Sequence, residues 1–489
     1  MPAPKEFLDF VDKNADKFIQ RLSEAVSYQS VSGNPDHRQD VINMSKWMNS
    51  QLRGVGIDTQ LVELGNQKDQ DGNDMGIPLP PVVLGRIGND TNKKTVLVYG
   101  HLDVQPAAKS DGWSTDDPFK LEIFDNGQLV GRGATDDKGP VLGWLNVLQY
   151  HYEANKLGDL PVNLRFCFEA MEESGSQGLD NVVKKEFQSG GWFHGTDCVS
   201  ISDNYWLNTR TPAITYGLRG IAYYKVTVEG PAKDLHSGMF GRMVHEPMTD
   251  LIKIMSALVN VDGSIPVPLI DSLVPPPTEQ EADEYKKLDY TVQDLDESVG
   301  ASIGLSDDKV KLLMGRMREC SLSLHGIEGA SSGPETATVI PAKVTGKFSI
   351  RLVPPLTPDE ATKRITEYVQ YVFDNLGTKN KMNCRMIDGG LPWVANTSHW
   401  SYVAAKAATE AVWKKTPDMT REGGSIPVAL TFADALGNND GVLLLPMGRG
   451  DDGAHSTNEK IDRSNFIEGT KLLGTYLYEI PAAAAAAKN

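Results

Sequence analysis

The sequence predicts an α/β fold in which a large domain, built on a mainly parallel sheet flanked by helices, is interrupted by a smaller α+β domain of ferredoxin-like type. Three observations carry this. Short apolar, β-rich runs alternate with helical patterns between residues 95 and 202; near Ile214 the pattern changes to period-two strands followed by amphipathic helices; and after residue 389 the first pattern returns. The implied boundaries are 1–213 and 389–480 for the large domain, 214–388 for the inserted one, and 481–489 for a low-complexity tail.

The chain opens with helices. Phe7, Phe10, Val11, Phe18, Leu22 and Val26 recur at helical spacing, as do Val41, Met44, Trp47, Met48 and Leu52 before Gly54. TVLVYG (95–100), NLRFCFEA (163–170) and CVSIS (198–202) read as buried strands, and GPVLGWLNVLQYHYEA between the first two reads as a helix. In the inserted domain the alternating strand IAYYKVTVEG precedes a helix around EPMTDLIKIMSALVN. Later VTGKFSIRLVP precedes TPDEATKRITEYVQYVFDNL, which opens on a capping box, Thr357-Pro358-Asp359-Glu360, with proline at the first helical position. KMNCRMID is the closing strand. The acidic insertion at 275–308 is expected to be a surface excursion, since its composition is poor for a core. A helix near SYVAAKAATEAVWKK and the strand VLLLPM (442–447) complete the large domain, and PAAAAAAKN is expected to be either a frayed end or an appended, non-native tail.

Composition narrows the function. The 489 residues are 40% hydrophobic and 23% charged, with 48 basic against 65 acidic side chains and a formal charge of -17. That balance argues against a nucleic-acid partner or an anionic membrane surface. No run resembles a transmembrane helix, and the acidic, amphipathic MPAPKEFLDFVDKNADKF is unlike a secretory leader, so the chain reads as cytoplasmic. Cys167, Cys198, Cys320 and Cys384 are far apart and unpaired in pattern, which reads as reduced thiols. The sequons at Asn89 and Asn396 read as chance matches, and GRGD at 448–451 as a glycine-rich loop.

Each apolar strand of the large domain runs into a metal-capable residue. TVLVYG ends at His101, with Asp103 two residues on; NLRFCFEA leads to Glu172-Glu173; CVSIS leads to Asp203; VLLLPM leads through GRGDDGA to His455. Asp136 and Asp137 lie in GRGATDDKGP, a glycine-rich turn entering a helix. Ligands of open α/β sheets gather outside the carboxyl ends of the strands, so these side chains are expected to converge. A single carboxylate at a strand end is ordinarily a helix cap or a solvated turn. Four strand ends that each supply His or carboxylate are not explained by capping, and together they suit a pair of divalent ions, zinc or manganese. The doubled glutamate fits the same chemistry: a dinuclear hydrolase needs one carboxylate on a metal and a second, free one to take a proton from water.

VYGHLDVQP, GRGATDDKGP, MEESGS, ISDNYW, DLHSG, REGGS and GAHSTNEK, in that order, resemble the carnosinase and cytosolic nonspecific dipeptidase branch of the co-catalytic metallopeptidases related to aminoacylase. The likeness runs from about residue 20 to residue 475, and within the branch it looks closest to the Cys-Gly dipeptidases of glutathione breakdown. It implies that His101, Asp136 and Asp203 hold one ion, and Asp136, Glu173 and His455 the other, with Asp136 bridging. Glu172 would be the general base and Asp103 would orient His101. A cis peptide is implied at Asp136-Asp137. The inserted domain would act as a lid and dimerisation domain, with His236 reaching the partner subunit of a homodimer to bind the oxyanion. Thr338, Arg351 and Ser425 match positions that bind the substrate's terminal carboxylate or amide.

One departure bears on specificity: animal members of the branch carry His before GG-x-PW, where this chain has Asp388 in IDGGLPW. That favours plain α-dipeptides over carnosine-like ones. The rival readings are an N-acyl amino acid amidohydrolase, which shares the metal set, and a non-catalytic homologue, against which the intact ligand set speaks.

Overall fold

The structure, a computed structural model, describes every residue except Met1, Gln70, Leu269, Glu335, Lys488 and Asn489. It divides into two compact units, one of Met1–Tyr216, Ala395–Thr420 and Val428–Asn489, the other of Gly217–Val394 and Arg421–Pro427.

In the first unit the helices Lys5–Lys13, Ala15–Ser27 and Arg38–Gly54 bury Phe7, Val11, Phe18, Leu22, Val26, Val41, Met44, Met48 and Leu52, the stripe that helical spacing foretold. The large sheet runs in the order Asp58–Val62, Val82–Ile87, Asn163–Glu169, Thr95–His101, Cys198–Ile201, Val442–Leu444, Ala213–Leu218. Its four central strands, from Asn163–Glu169 to Val442–Leu444, are mutually parallel. The flanking strands are antiparallel, so the sheet as a whole is mixed. Every residue of the four central strands is buried. Strands covered on both faces have no solvent side, which is why they read as apolar runs rather than alternating ones.

The helix Lys138–Glu153 is buried from Lys138 through His151 and packs on the Thr95–His101 strand and on the helix Arg463–Ala486. This last helix corrects an expectation. The alanine tail does not fray: Ala483 and Ala484 are buried and the helix runs past Pro481 to Ala486. Alanine is the strongest helix former, and the preceding turns are already docked. Lys488 and Asn489 of that tail lie outside the described residues.

The second unit contains an antiparallel sheet ordered Ser321–Glu328, Lys343–Leu352, Gly220–Glu229, Lys381–Gly390. Numbered along the chain this is 2-3-1-4, the arrangement of a ferredoxin-like sheet. The strand Gly220–Glu229 alternates buried and half-buried residues, as its period-two pattern requires. The helices Pro247–Ser256 and Pro358–Asn375 cover one face, burying Tyr224, Val226, Val228, Leu251, Ile254, Phe348, Ile350, Ile365 and Val369. Thr357 caps the second of these, its hydroxyl accepting from Glu360 N at 3.2 Å.

The insertion differs from its expected form. It is not a bare surface excursion but holds the short helices Glu279–Lys287 and Val292–Val299, with Tyr285, Leu288 and Tyr290 buried, and a third helix, Lys309–Met317, follows directly after it and buries Leu313 and Met317. Thr278, Thr291 and Asp308 cap the three, a start signal that acidic composition masks in the first two. Among the described residues no helix is long and apolar enough to cross a membrane. All four cysteines are free, Cys384 half-buried and the others buried.

Candidate metal centre

The carboxyl ends of the parallel strands meet at one rim of the first unit. His101 is the last residue of its strand, and the glycine before it is needed there. A Cβ on Gly100 would fall 2.4 Å from Val141 Cγ2 and 2.8 Å from Asp137 Oδ2. His101 Nε2 faces Asp136 Oδ1 at 3.0 Å and Asp203 Oδ2 at 3.6 Å. His455 Nε2 faces the other oxygen of the same carboxylate, Asp136 Oδ2, at 3.1 Å, and Glu173 Oε2 at 3.1 Å. In each of the groups His101/Asp136/Asp203 and Asp136/Glu173/His455, the donor atoms all lie within 4.8 Å of one another. Asp136 thus turns one oxygen to each group, the disposition a bridging carboxylate needs.

The turn that presents Asp136 is held by a residue the motif reading missed. Buried Glu459 accepts from the main-chain N–H groups of Thr135 and Asp136, both at 3.1 Å, with Oε1, and binds Arg132 Nη1 at 2.8 Å with Oε2. The signal was present in GAHSTNEK, an acid four residues beyond His455. The Asp136-Asp137 peptide is cis, and Asp137 Oδ2 accepts from His101 N at 3.2 Å. His455 itself stands at φ 61°, in the left-handed region that a non-glycine residue rarely occupies.

The two glutamates diverge because of the turn that carries them. The strand stops at Glu169, and Glu172–Ser174 forms a 3₁₀ turn, in which successive side chains point about 120° apart. Glu173 joins the His455 group, while Glu172 belongs to neither. Asp103 organises this turn: its Oδ1 accepts Glu172 N at 3.1 Å and its Oδ2 accepts Glu173 N at 3.0 Å. His101 Nδ1 lies 3.1 Å from the Asp103 carbonyl oxygen and 3.4 Å from Oδ1. The carbonyl is the nearer partner and fixes the ring, leaving the carboxylate for the turn. Gln105, also unforeseen, donates to Glu173 Oε2 at 2.8 Å.

Electrostatics follow from crowding. Burial pushes the Asp136 carboxyl up, yet the facing imidazoles of His101 and His455 hold it below the usual range. Hydrogen bonds to Asp136 and Glu173 raise His455 to about 10. Burial, reinforced by Asp203, Asp103 and Glu173 and opposed by His101, raises Glu172 to about 9. Two imidazoles among several half-buried or buried carboxylates form a mixed nitrogen and oxygen donor set with excess negative charge, which fits divalent cations. A third acidic group, Asp451, Asp452 and Asp462, is already filled by an ammonium: Lys460 Nζ lies 2.8, 2.8 and 2.5 Å from their oxygens.

The remaining expected site residues lie in the second unit. Arg351 Nη1 donates to Ser425 Oγ at 2.9 Å, so those two are brought together. His236 and Thr338 share a small ribbon, with His236 opposite Val339 and Ser237 N donating to the Thr338 carbonyl at 3.0 Å; both are exposed. Asp388 is exposed beside a bulge in its strand, its carboxylate accepting Gly389 N at 2.9 Å.

Comparison with known proteins gives a consistent result. The model of peptidase family M20/M25/M40 matches residues 97–479. The Cys-Gly metallodipeptidase of Schizosaccharomyces pombe is 50% identical over 473 residues, 96% of this chain and 97% of that one. The solved structure of the dipeptidase Dug1p from Saccharomyces cerevisiae matches with a TM-score of 0.88 and 46% identity over 98% of both chains. That of human carnosine dipeptidase 1 matches with a TM-score of 0.89 and 42% identity over 99% of this chain and 100% of that one.

Proposed function

The chain belongs to peptidase family M20/M25/M40, and from that premise we propose that it is a metal-dependent dipeptidase acting on α-dipeptides, Cys-Gly among them. The observation that carries this reading is Asp136, whose two oxygens each face one imidazole with a further carboxylate beside it. His101, Asp136 and Asp203 would hold one divalent ion, and Asp136, Glu173 and His455 a second, with zinc or manganese both suited to the donors. Ions bound there supply Lewis-acid polarisation and a lowered pKa for water.

The chain's own groups do the rest. Glu172, which belongs to neither ligand group, takes a proton from the attacking water and holds it until the peptide nitrogen leaves. It then returns the proton to the departing amine, so one peptide bond and one water yield one carboxylate and one amine. Asp103 keeps the His101 ring and the Glu172 turn in mutual register. His236 donates a hydrogen bond to the oxyanion, and Arg351, Ser425 and Thr338 receive the substrate's terminal carboxylate, for which a guanidinium fork is well shaped. In this reading His236 serves the partner's site in a homodimer. The exposed Met239, Met243, Val244 and Val339 close to it in sequence and on its ribbon support such an interface. Free cysteines suit a reducing compartment, and we place the enzyme in the cytoplasm.

The competing reaction is hydrolysis of N-acyl amino acids, which needs no amine recognition. Metal analysis of the purified protein followed by rates on Cys-Gly, Leu-Gly and their N-acetylated counterparts separates the two. The dipeptidase reading expects turnover of the free dipeptides and little of the acetylated ones; the reverse order would replace it.

A further inference from the structure

Arg219 ties together three segments of the second unit that are remote in sequence. Its Nε donates to the Gly423 carbonyl at 2.9 Å and its main-chain N to the Glu422 carbonyl at 3.2 Å. Its Nη1 lies 3.1 Å from the Gly315 carbonyl, 3.2 Å from the Glu319 carbonyl and 3.0 Å from Ser321 Oγ. Its own carbonyl accepts the Ser425 hydroxyl at 2.6 Å, and that hydroxyl in turn accepts from Arg351. The Arg219 side chain therefore sets the height of the Gly423–Ser425 segment, while the main-chain carbonyl of the same residue directs the Ser425 hydroxyl.

Few other contacts hold the segment from this side. Gly315, Glu319 and Ser321 wall a cavity of about 1070 Å³ beneath the insertion, so that side offers room to move rather than packing. Gly423 must be glycine for the approach: a Cβ there would fall 2.8 Å from the Arg316 carbonyl oxygen and 3.0 Å from Arg219 Nη2. Arg316, on the helix Lys309–Met317 that follows the insertion, adds a second grip, its Nη2 3.3 Å from both Glu422 carboxylate oxygens. Burial and then the Arg351 guanidinium push Arg219 down, to about 10, against the pull of the Glu422 carboxylate.

We propose that Arg219 is a positioning residue for specificity: by locking Gly423–Ser425 against Arg351 it sets the preference for substrates that end in a free carboxylate. The inference rests on the reading of Arg351 and Ser425 as the carboxylate site. It also gives a role to the stretch that follows the insertion, since Arg219 joins Gly315, Glu319 and Ser321 there to Gly423 of the REGGS loop.

The test compares Cys-Gly with its C-terminal amide on the metal-loaded protein. In Arg219→Gln the KM for Cys-Gly is expected to rise roughly tenfold with kcat within about twofold, while the KM for the amide stays put. Arg219→Lys, which can still reach one carbonyl, should recover part of the loss. Equal loss of kcat on both substrates, or an unchanged ratio of the two KM values, overturns the proposal. Should Arg219→Gln lack a cooperative melt, Gly423→Ala decides: it shifts the segment without removing a charge and must raise the KM for the dipeptide alone, and an unchanged ratio overturns the proposal equally. Arg351→Gln tells the two levels apart. If it leaves the dipeptide-to-amide ratio intact, the carboxylate site itself is misplaced and the inference falls with it. If it erases the ratio while Arg219→Gln does not, only the role of Arg219 is lost.

Discussion

Asp103 Oδ1 accepts the main-chain N–H of Glu172 at 3.1 Å. Because Asp103 Oδ2 does the same for Glu173 and the Asp103 carbonyl holds His101 Nδ1, one residue fixes a ligand of each proposed ion and the proposed base together. Asp103→Asn keeps one acceptor and turns the other into a donor, so one N–H of the turn is left facing an amide. We expect kcat to fall by about 10- to 100-fold, with weaker retention of metal on dialysis, since outer partners of this kind matter to that degree. Metal content and kcat measured on the same preparation check it; wild-type values for both would show that the turn holds without Asp103.

Glu459 and Arg132 form a buried ion pair whose carboxylate also takes the N–H groups of the Asp136 turn. Glu459→Ala leaves a guanidinium buried without its partner, a change worth roughly 3–5 kcal/mol in destabilisation. A lowered melting temperature should be accompanied by faster loss of metal to a chelator, because the Asp136 turn is released as well. A drop in stability with normal metal retention would mean that the turn is held by other contacts.

Several of the proposed site residues were legible because each follows an apolar strand: His101, Asp203 and the Glu172-Glu173 pair stand where parallel strands end, and the sheet's topology does the gathering. The ferredoxin-like order was legible for the same reason, since alternation in Gly220–Glu229 survives in its burial. What escaped was set by tertiary context. Asp58–Val62 is exposed or half-buried throughout and carries no strand signal of its own; it pairs because Val82–Ile87 offers an edge. Glu459, Gln105 and Arg219 act through main-chain atoms or single oxygens of distant residues, and neither periodicity nor motif spacing encodes such contacts. The insertion's two helices were hidden by acidic composition, although Thr278 and Thr291 had marked their starts.

Glu169 gives a pH signature that is separate from turnover. It is buried, its Oε1 accepts the hydroxyls of Tyr99 and Ser176 at 2.7 Å each, and burial, with the Asp103 charge adding, raises its carboxyl to about 7. Between its ordinary value of 4.5 and about 7 the folded protein binds more protons than the unfolded chain, so its contribution to stability is full below that window and falls as pH rises through it. Glu169→Gln cannot titrate. Relative to wild type, the variant should therefore gain on the order of 3 kcal/mol in going from pH 4.5 to pH 8. Denaturant midpoints at the two pH values measure this; the same offset at both would place the Glu169 carboxyl at its ordinary value.

The proposed service of His236 to a partner subunit can be read from mixed dimers. Glu172→Gln should abolish hydrolysis, by about 10²- to 10⁴-fold, with metal content near normal, since the side chain belongs to neither ligand group. His236→Ala should also be poorly active, because a lost oxyanion donor costs about 10²- to 10³-fold. Refolded or co-expressed together, the two inactive chains form heterodimers in which the His236→Ala chain keeps Glu172 and receives His236 from its Glu172→Gln partner. Random pairing makes half of all dimers mixed, each with one complete site of two, so about a quarter of wild-type activity should return. If His236 acted within its own chain, every site in the mixture would lack either the base or the oxyanion donor, and no activity would come back.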